Sequence, residues 1–145
     1  MPFALLALSL LVWACTGSAG AGTTVPGATA SASPTGASQT SAGGQVTVIA
    51  TWNGPADGAS FDIKLDTHSV DLDTLDLSNA VLSNDRGETL AARPWAAAKG
   101  GHHREGALRF DGDVSSFFAG ANWIELTLAG VGDTPERTLR WEVGS

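Results

Sequence analysis

The feature that most restricts the fold is the two-residue alternation from Phe61 to Thr67. Phe61, Ile63, Leu65 and Thr67 share one face, and Asp62, Lys64 and Asp66 share the other. Successive strand side chains point to opposite sides, so this pattern makes a strand with one buried and one wet face. A helix would instead repeat its apolar positions every three or four residues. The same period recurs at Val46, Val48, Ala50 and Trp52, at Leu108 and Phe110, over Trp123 to Leu128, and at Leu139, Trp141 and Val143. Val70 and Leu72 extend an in/out alternation against Asp71 and Asp73. Ala80 to Leu82 and Thr89 to Ala91 flank Asn84-Asp85-Arg86-Gly87, a hairpin turn with Gly87 free to take positive φ.

Between these runs stand Asn53-Gly54-Pro55, Asp57-Gly58, Asp111-Gly112 and Gly130-Val131-Gly132-Asp133, all turn chemistry. Leu75 to Asn79 reads as a helical turn or an irregular crossing, and Ser115 to Ala119 as one helical turn placing Phe117 and Phe118 at the core edge. The alanine run after Trp95 is closed by Pro94 and Gly100-Gly101 and is too short for an independent helix. About seven short strands without a long amphipathic helix predict an all-β, immunoglobulin-like antiparallel sandwich. The Cys-Trp-Cys pin of antibody domains is absent, and Trp123 and Trp141 are expected to supply its bulk.

Composition changes sharply along the chain. Asp57 is the first charged side chain, so all 8 basic and 15 acidic residues lie from there onward. Phe3 to Ala14 is almost wholly apolar and too short to cross a bilayer, which takes about 20 residues. It suits residues 1–14 as a secretory signal. Val12-Trp13-Ala14-Cys15 resembles a bacterial lipobox, in which the cysteine is lipidated and becomes the new N-terminus. Trp13 is bulky for that motif, and no Lys or Arg stands near Met1. Cys15 is the only cysteine, so no internal disulfide forms. Residues 15–44 are then the lipidated cysteine and a disordered Ala/Gly/Ser/Thr/Pro linker, and residues 45–145 the sandwich. These readings place the protein in the cell envelope, lipid-anchored and facing outside the cytoplasm, or secreted if Cys15 is not lipidated. The net charge of −7 repels phosphate backbones, so no nucleic-acid partner is expected.

Asp66-Thr67-His68-Ser69-Val70-Asp71-Leu72-Asp73, Gly100-Gly101-His102-His103 with Gly106-Ala107-Leu108-Arg109-Phe110, and Gly130 to Arg137 with Trp141-Glu142 carry a likeness. In these segments the chain resembles a family of secreted or lipid-anchored prokaryotic domains with an immunoglobulin-like sandwich. The likeness runs from Val46 to Val143 and implies fold and location; the family has no established activity.

All three histidines lie in those segments. His68, His102 and His103, with Asp66, Asp71 or Asp73, offer nitrogen and oxygen suited to copper or zinc. Against this, adjacent strand residues point apart, so His102 and His103 share an ion only in an irregular loop. One histidine packed against a carbonyl with the others solvated is the preferred reading of these three residues. Asp71, Asp73 and Asp76 offer oxygens to calcium but lack the twelve-residue loop pattern; the alternative is an acidic face guarding an edge strand. Asp66 is expected to cap the turn at Ser69. Ser69 beside His68, or Ser115 with Asp113, makes no recognisable nucleophile–base pair, and no Gly-x-Ser-x-Gly occurs, so an enzyme is not expected. Trp95 either closes one end of the sandwich or stands exposed to a sugar or peptide. The leading expectation is non-catalytic binding or assembly, with an envelope protein or glycan as partner, through the loops near His68 and His102.

Overall fold

The computed structural model describes residues 36–143; the signal segment, Cys15 and the first part of the linker lie outside them. Eight strands form one antiparallel sheet that folds over into two facing layers: β1 Ser38–Gly43, β2 Val46–Trp52, β3 Ser60–Thr67, β4 Val81–Asn84, β5 Thr89–Ala92, β6 His103–Asp111, β7 Trp123–Val131 and β8 Thr134–Glu142. Their order is β1-β2-β3-β6-β5-β4-β7-β8. β5, β4 and β7 continue from β6 as a Greek key, with β7 lying beside β4. β6 joins the layers: residues from His103 to Arg109 pair with β3, and Phe110 and Asp111 pair with β5. The chain is the all-β antiparallel sandwich expected, with eight strands.

The alternation does what its period dictates. Val46, Val48, Ala50, Trp52, Phe61, Ile63 and Leu65 are buried from one layer, and Leu82, Ile124, Leu126, Leu128, Leu139 and Trp141 from the other. Trp52 stacks on Phe118 with ring centroids 5.4 Å apart, and Phe61 meets Trp141 at 5.1 Å. Such aromatic pairs add about 0.5–1.5 kcal/mol each beyond area burial. The short helix α1, Val114–Phe118, starts where Asp113 accepts the Ser116 N–H and lowers both phenylalanines onto the core.

Four expectations differ from what is found. Trp123 is not core; it lies on the outer face with Glu125 and Thr127, under the Arg140 guanidinium at 3.9 Å, and Trp52 takes its place inside. Val70 and Leu72 do not continue β3. Thr67 Oγ1 accepts the N–H groups of Ser69 and Val70, and Asp71 accepts that of Asp73. Side chains thus take the donors a ladder would need, and the strand stops. Thr67, rather than Asp66, caps this turn. Finally, the ordered chain begins before Gln45: β1 pairs with β2 from Ser38↔Thr51 to Gly43↔Val46, within the stretch read as linker. No residue of β1 is buried, so its composition carries no strand signal. It is held instead by the backbone ladder and by side chains of β8.

Side chains from both outermost strands close the gap between them. Gln39 Nε2 donates to the Arg140 carbonyl, Trp141 Nε1 donates to the Ala37 carbonyl at 2.7 Å, and Arg137 Nη1 donates to the Ser41 carbonyl at 2.9 Å. Arg137 Nη2 also meets the carbonyls of Gly43, Val46 and Val131 at 2.6, 3.1 and 3.2 Å. The residue is 3 % exposed, and burial lowers its guanidinium from the ordinary value.

Four surface carboxyls are held below their ordinary values by hydrogen bonds: Asp76 by the Ser78 hydroxyl, Asp85 by the Asn122 amide, Glu88 by the Asn84 amide and Arg86, and Asp113 by the Ser116 hydroxyl. A depressed acid stabilises the fold above its unfolded value and loses that contribution as pH falls through its folded value. Thermal melts should therefore be flat above about pH 5 and decline below about pH 4. Asp113→Asn, which keeps a capping oxygen without a titrating one, should make that decline shallower; an unchanged acid slope would count against this origin.

Candidate functional site

Strand direction gives the sandwich two different ends. The Gly36 N–H bonds the Trp52 carbonyl, and the Val143 N–H bonds the Asn122 carbonyl. Trp141 reaches Ala37, so both ends of the described chain emerge together. The opposite end is made by the β1–β2 turn at Gly44-Gln45, the Thr67-His68-Ser69 corner, the strand start at His102-His103 and the β7–β8 turn at Gly132-Asp133. Every segment that supplied a candidate histidine is there.

These loops are tied to one another. Gln45 accepts the Ser69 hydroxyl on its amide oxygen, donates from Nε2 to Asp133 at 3.0 Å, and takes the Thr67 hydroxyl on its backbone carbonyl at 2.8 Å. The Asp133 N–H bonds the Gly44 carbonyl. Asp73 Oδ1 accepts the Gly100 N–H at 2.6 Å, joining the acidic loop to the Gly100-Gly101 loop. A Cβ on Gly132 would lie 2.4 Å from the Gly44 carbonyl oxygen, and Gly132 has φ 61°. Only glycine fits where these two turns meet.

The candidate ligands separate on this frame. Asp66 and His103 face each other across β3 and β6, with His103 Nδ1 on Asp66 Oδ1. His68 and His102 are exposed, and neither ring joins that pair in a ligand set. Asp71 and Asp76 accept the N–H groups of Asp73 and Ser78 within their own loop, which is how short polar side chains build turns, and Asp73 is taken by the Gly100 N–H of the neighbouring loop. They stand in a loop, not along an edge strand. Among the described residues no group of three His, Cys, Asp or Glu side chains is disposed to hold a metal ion.

Trp95 is 7 % exposed. Its Nε1 donates to the Gly106 carbonyl at 3.2 Å, and the Arg104 guanidinium lies over its ring at 4.6 Å. It closes the sandwich, and the exposed stacking platform that would serve a sugar or peptide is not formed. The residue the sequence reading passed over is Arg104 itself, 4 % exposed. It donates to the carbonyls of Leu72, Leu75, Ala97 and Ala98 and so fixes both long loops. Its parity with Leu108 and Phe110 on β6 was the available signal, as was that of Arg137 with Leu139 and Trp141 on β8.

Open clefts lie at both ends of the sandwich. One, of about 490 Å³, runs between the loop from Val70 to Asn79 and the β7–β8 turn, with Asp71, Asp76 and Asp133 at its rim. The other, of about 410 Å³, is near the chain entry, lined among others by Asn53, Asp57, Asp62, Arg93 and Arg109. Comparison of the chain with protein-family models, curated proteins and solved structures finds no match.

Proposed function

We propose that the chain is an envelope lipoprotein whose sandwich is a non-catalytic binding or assembly domain. Lipid on Cys15 anchors it, and the small-residue segment after Cys15 tethers it. The partner, an envelope protein or glycan, meets the loops around His68 and His102. The observation that carries this reading is the polarity of the sandwich. The chain enters at Gly36 beside Trp52, and the histidine-bearing loops lie at the far end. With the anchor joined at the entry end, those loops face away from the lipid. Their mutual hydrogen bonds support presentation of His68, His102 and the Asp66–His103 pair as a fixed surface, which lowers the ordering cost of binding.

Two measurements test it. Mass spectrometry of the N-terminal peptide from membrane fractions should find diacylglycerol on Cys15, and Cys15→Ser should move the protein out of the membrane fraction. Unmodified Cys15 in membrane-bound protein would remove the anchor. A photoreactive residue in place of His102 should cross-link envelope material in cells, whereas one in place of Asn53 should not. Equal labelling from both ends would remove the loops from the reading.

A further inference from the structure

The β1–β2 connection is a two-residue turn in which both central residues have positive φ, Gly44 at 51° and Gln45 at 64°. Among the described residues Gln45 is the only one other than glycine with positive φ. A side chain there crowds the backbone, and such strain persists only where its surroundings impose it. The strand this turn folds back is also unusual, since β1 has no buried side chain. Three fastenings to β8 are read through the backbone of β1 and of the residue before it: the carbonyls of Ala37, Ser41 and Gly43 accept from Trp141 and Arg137. The slot between β2 and β8 therefore selects an extended backbone with carbonyls at the right spacing. It does not select which copy of the chain supplies them.

We infer that β1 is an exchangeable strand, and that its slot accepts Ser38–Gly43 of a second copy, giving a strand-swapped dimer. In the exchange the turn at Gly44-Gln45 straightens into one long β1–β2 strand, and the positive φ at Gln45 is released in both copies. Each Arg137 and Trp141 then receives the same carbonyls from the other copy, so contacts made to β1 are conserved. Strained short hinges favour this exchange over the closed form, and the lack of buried side chains in β1 lowers the barrier to leaving. Opposing it, the closed turn gains the Gln45 bonds to Ser69 and Asp133. Removing those bonds should tip the balance, provided the strain remains.

That condition separates two substitutions. Gln45→Val and Gln45→Gly both delete the amide, but only glycine accepts positive φ freely. The test uses the full chain with Cys15→Ser, so that added cysteines are the only thiols. Thr40→Cys copies are mixed with Ile49→Cys copies, unfolded together, refolded at high concentration and oxidised. Thr40 and Ile49 face each other across β1 and β2, so a Thr40–Ile49 disulfide between copies reports exchange. Thr40→Cys with Glu105→Cys, two strands further away, is the control. The Gln45→Val background should give at least about tenfold more cross-linked dimer than Gln45→Gly, with the control pair at background. If Gln45→Val does not fold, copies with the native Gln45 decide the matter through the same cross-link. Equal dimer in the Val and Gly backgrounds would overturn the inference, as would a Thr40–Ile49 yield no higher than the control in whichever background folds.

Discussion

Arg137→Met should lower the stability of the fold by about 3–5 kcal/mol and let β1 open ahead of global unfolding. The direction depends on which of two costs is larger. Burying a guanidinium without a carboxylate is itself unfavourable, and replacing a buried ion by an apolar side chain is sometimes neutral. Here the ion bridges acceptors on several segments at once: the carbonyls of Ser41, Gly43, Val46 and Val131 and the Thr134 hydroxyl. Methionine removes one desolvated charge but also several charge-assisted hydrogen bonds, each contributing about 1.5–3 kcal/mol. The lost bridging bonds win. Only Arg137 Nε, among buried side-chain nitrogens and oxygens of the described residues, lacks a partner, so the guanidinium is used nearly to capacity.

The fork explains why lysine is a poor substitute. An ammonium is a point donor on a flexible stem and does not span β1, β2 and the β7–β8 turn at once. Arg137→Lys should recover less than half of the loss. Urea denaturation gives the magnitude, and amide hydrogen exchange gives the location. Protection should fall by several orders of magnitude over Gln39 to Ala42 while Ile63 and Leu126 follow global stability. Unchanged protection in β1 would show that the ladder to β2 suffices and that Arg137 is incidental.

β1 also marks the limit of what the sequence reveals. Phe61 to Thr67 was legible because burial on one face leaves a two-residue period in the side chains, and Val46 to Trp52 was legible for the same reason. Ser38 to Gly43 buries no side chain, so its strand state is written elsewhere, in Arg137 and Trp141. Trp123 shows a second kind of limit. Its apolar bulk pointed inward, yet its parity with Glu125 and Thr127 put it outside, and parity prevailed because Ile124, Leu126 and Leu128 already fill the inner face. For the candidate site, the sequence placed the histidines correctly at strand ends. Whether three imidazoles converge depends on the course of two long loops, and those are set by Arg104 through backbone carbonyls that every residue possesses. No pattern of side-chain types encodes that.

Arg104→Met should therefore cost about 3–5 kcal/mol as well, but with a different signature. Arg104 holds Leu72 and Leu75 on one loop and Ala97 and Ala98 on the other, and covers Trp95 at 4.6 Å. Without it, the segment before β6 loses its hold and Trp95 meets water. Tryptophan emission should shift to the red, and exchange protection of the Leu75 and Ala80 amides, which bond the Leu72 and Leu77 carbonyls, should collapse while β1 stays protected. Leu72, Leu77 and Trp95 are all core residues, so the loops cannot be released without exposing apolar surface, at about 25 cal/mol per Å². That burial separates a clamp from a decoration, because the carbonyl bonds position the loops and the buried side chains make their release costly. Since Arg104 and Arg137 share no partner, the doubly substituted chain should lose close to the sum of the two effects, within about 0.5 kcal/mol. A loss well below that sum would mean that one clamp is already slack when the other is cut, and that the two clamped regions open as a single unit.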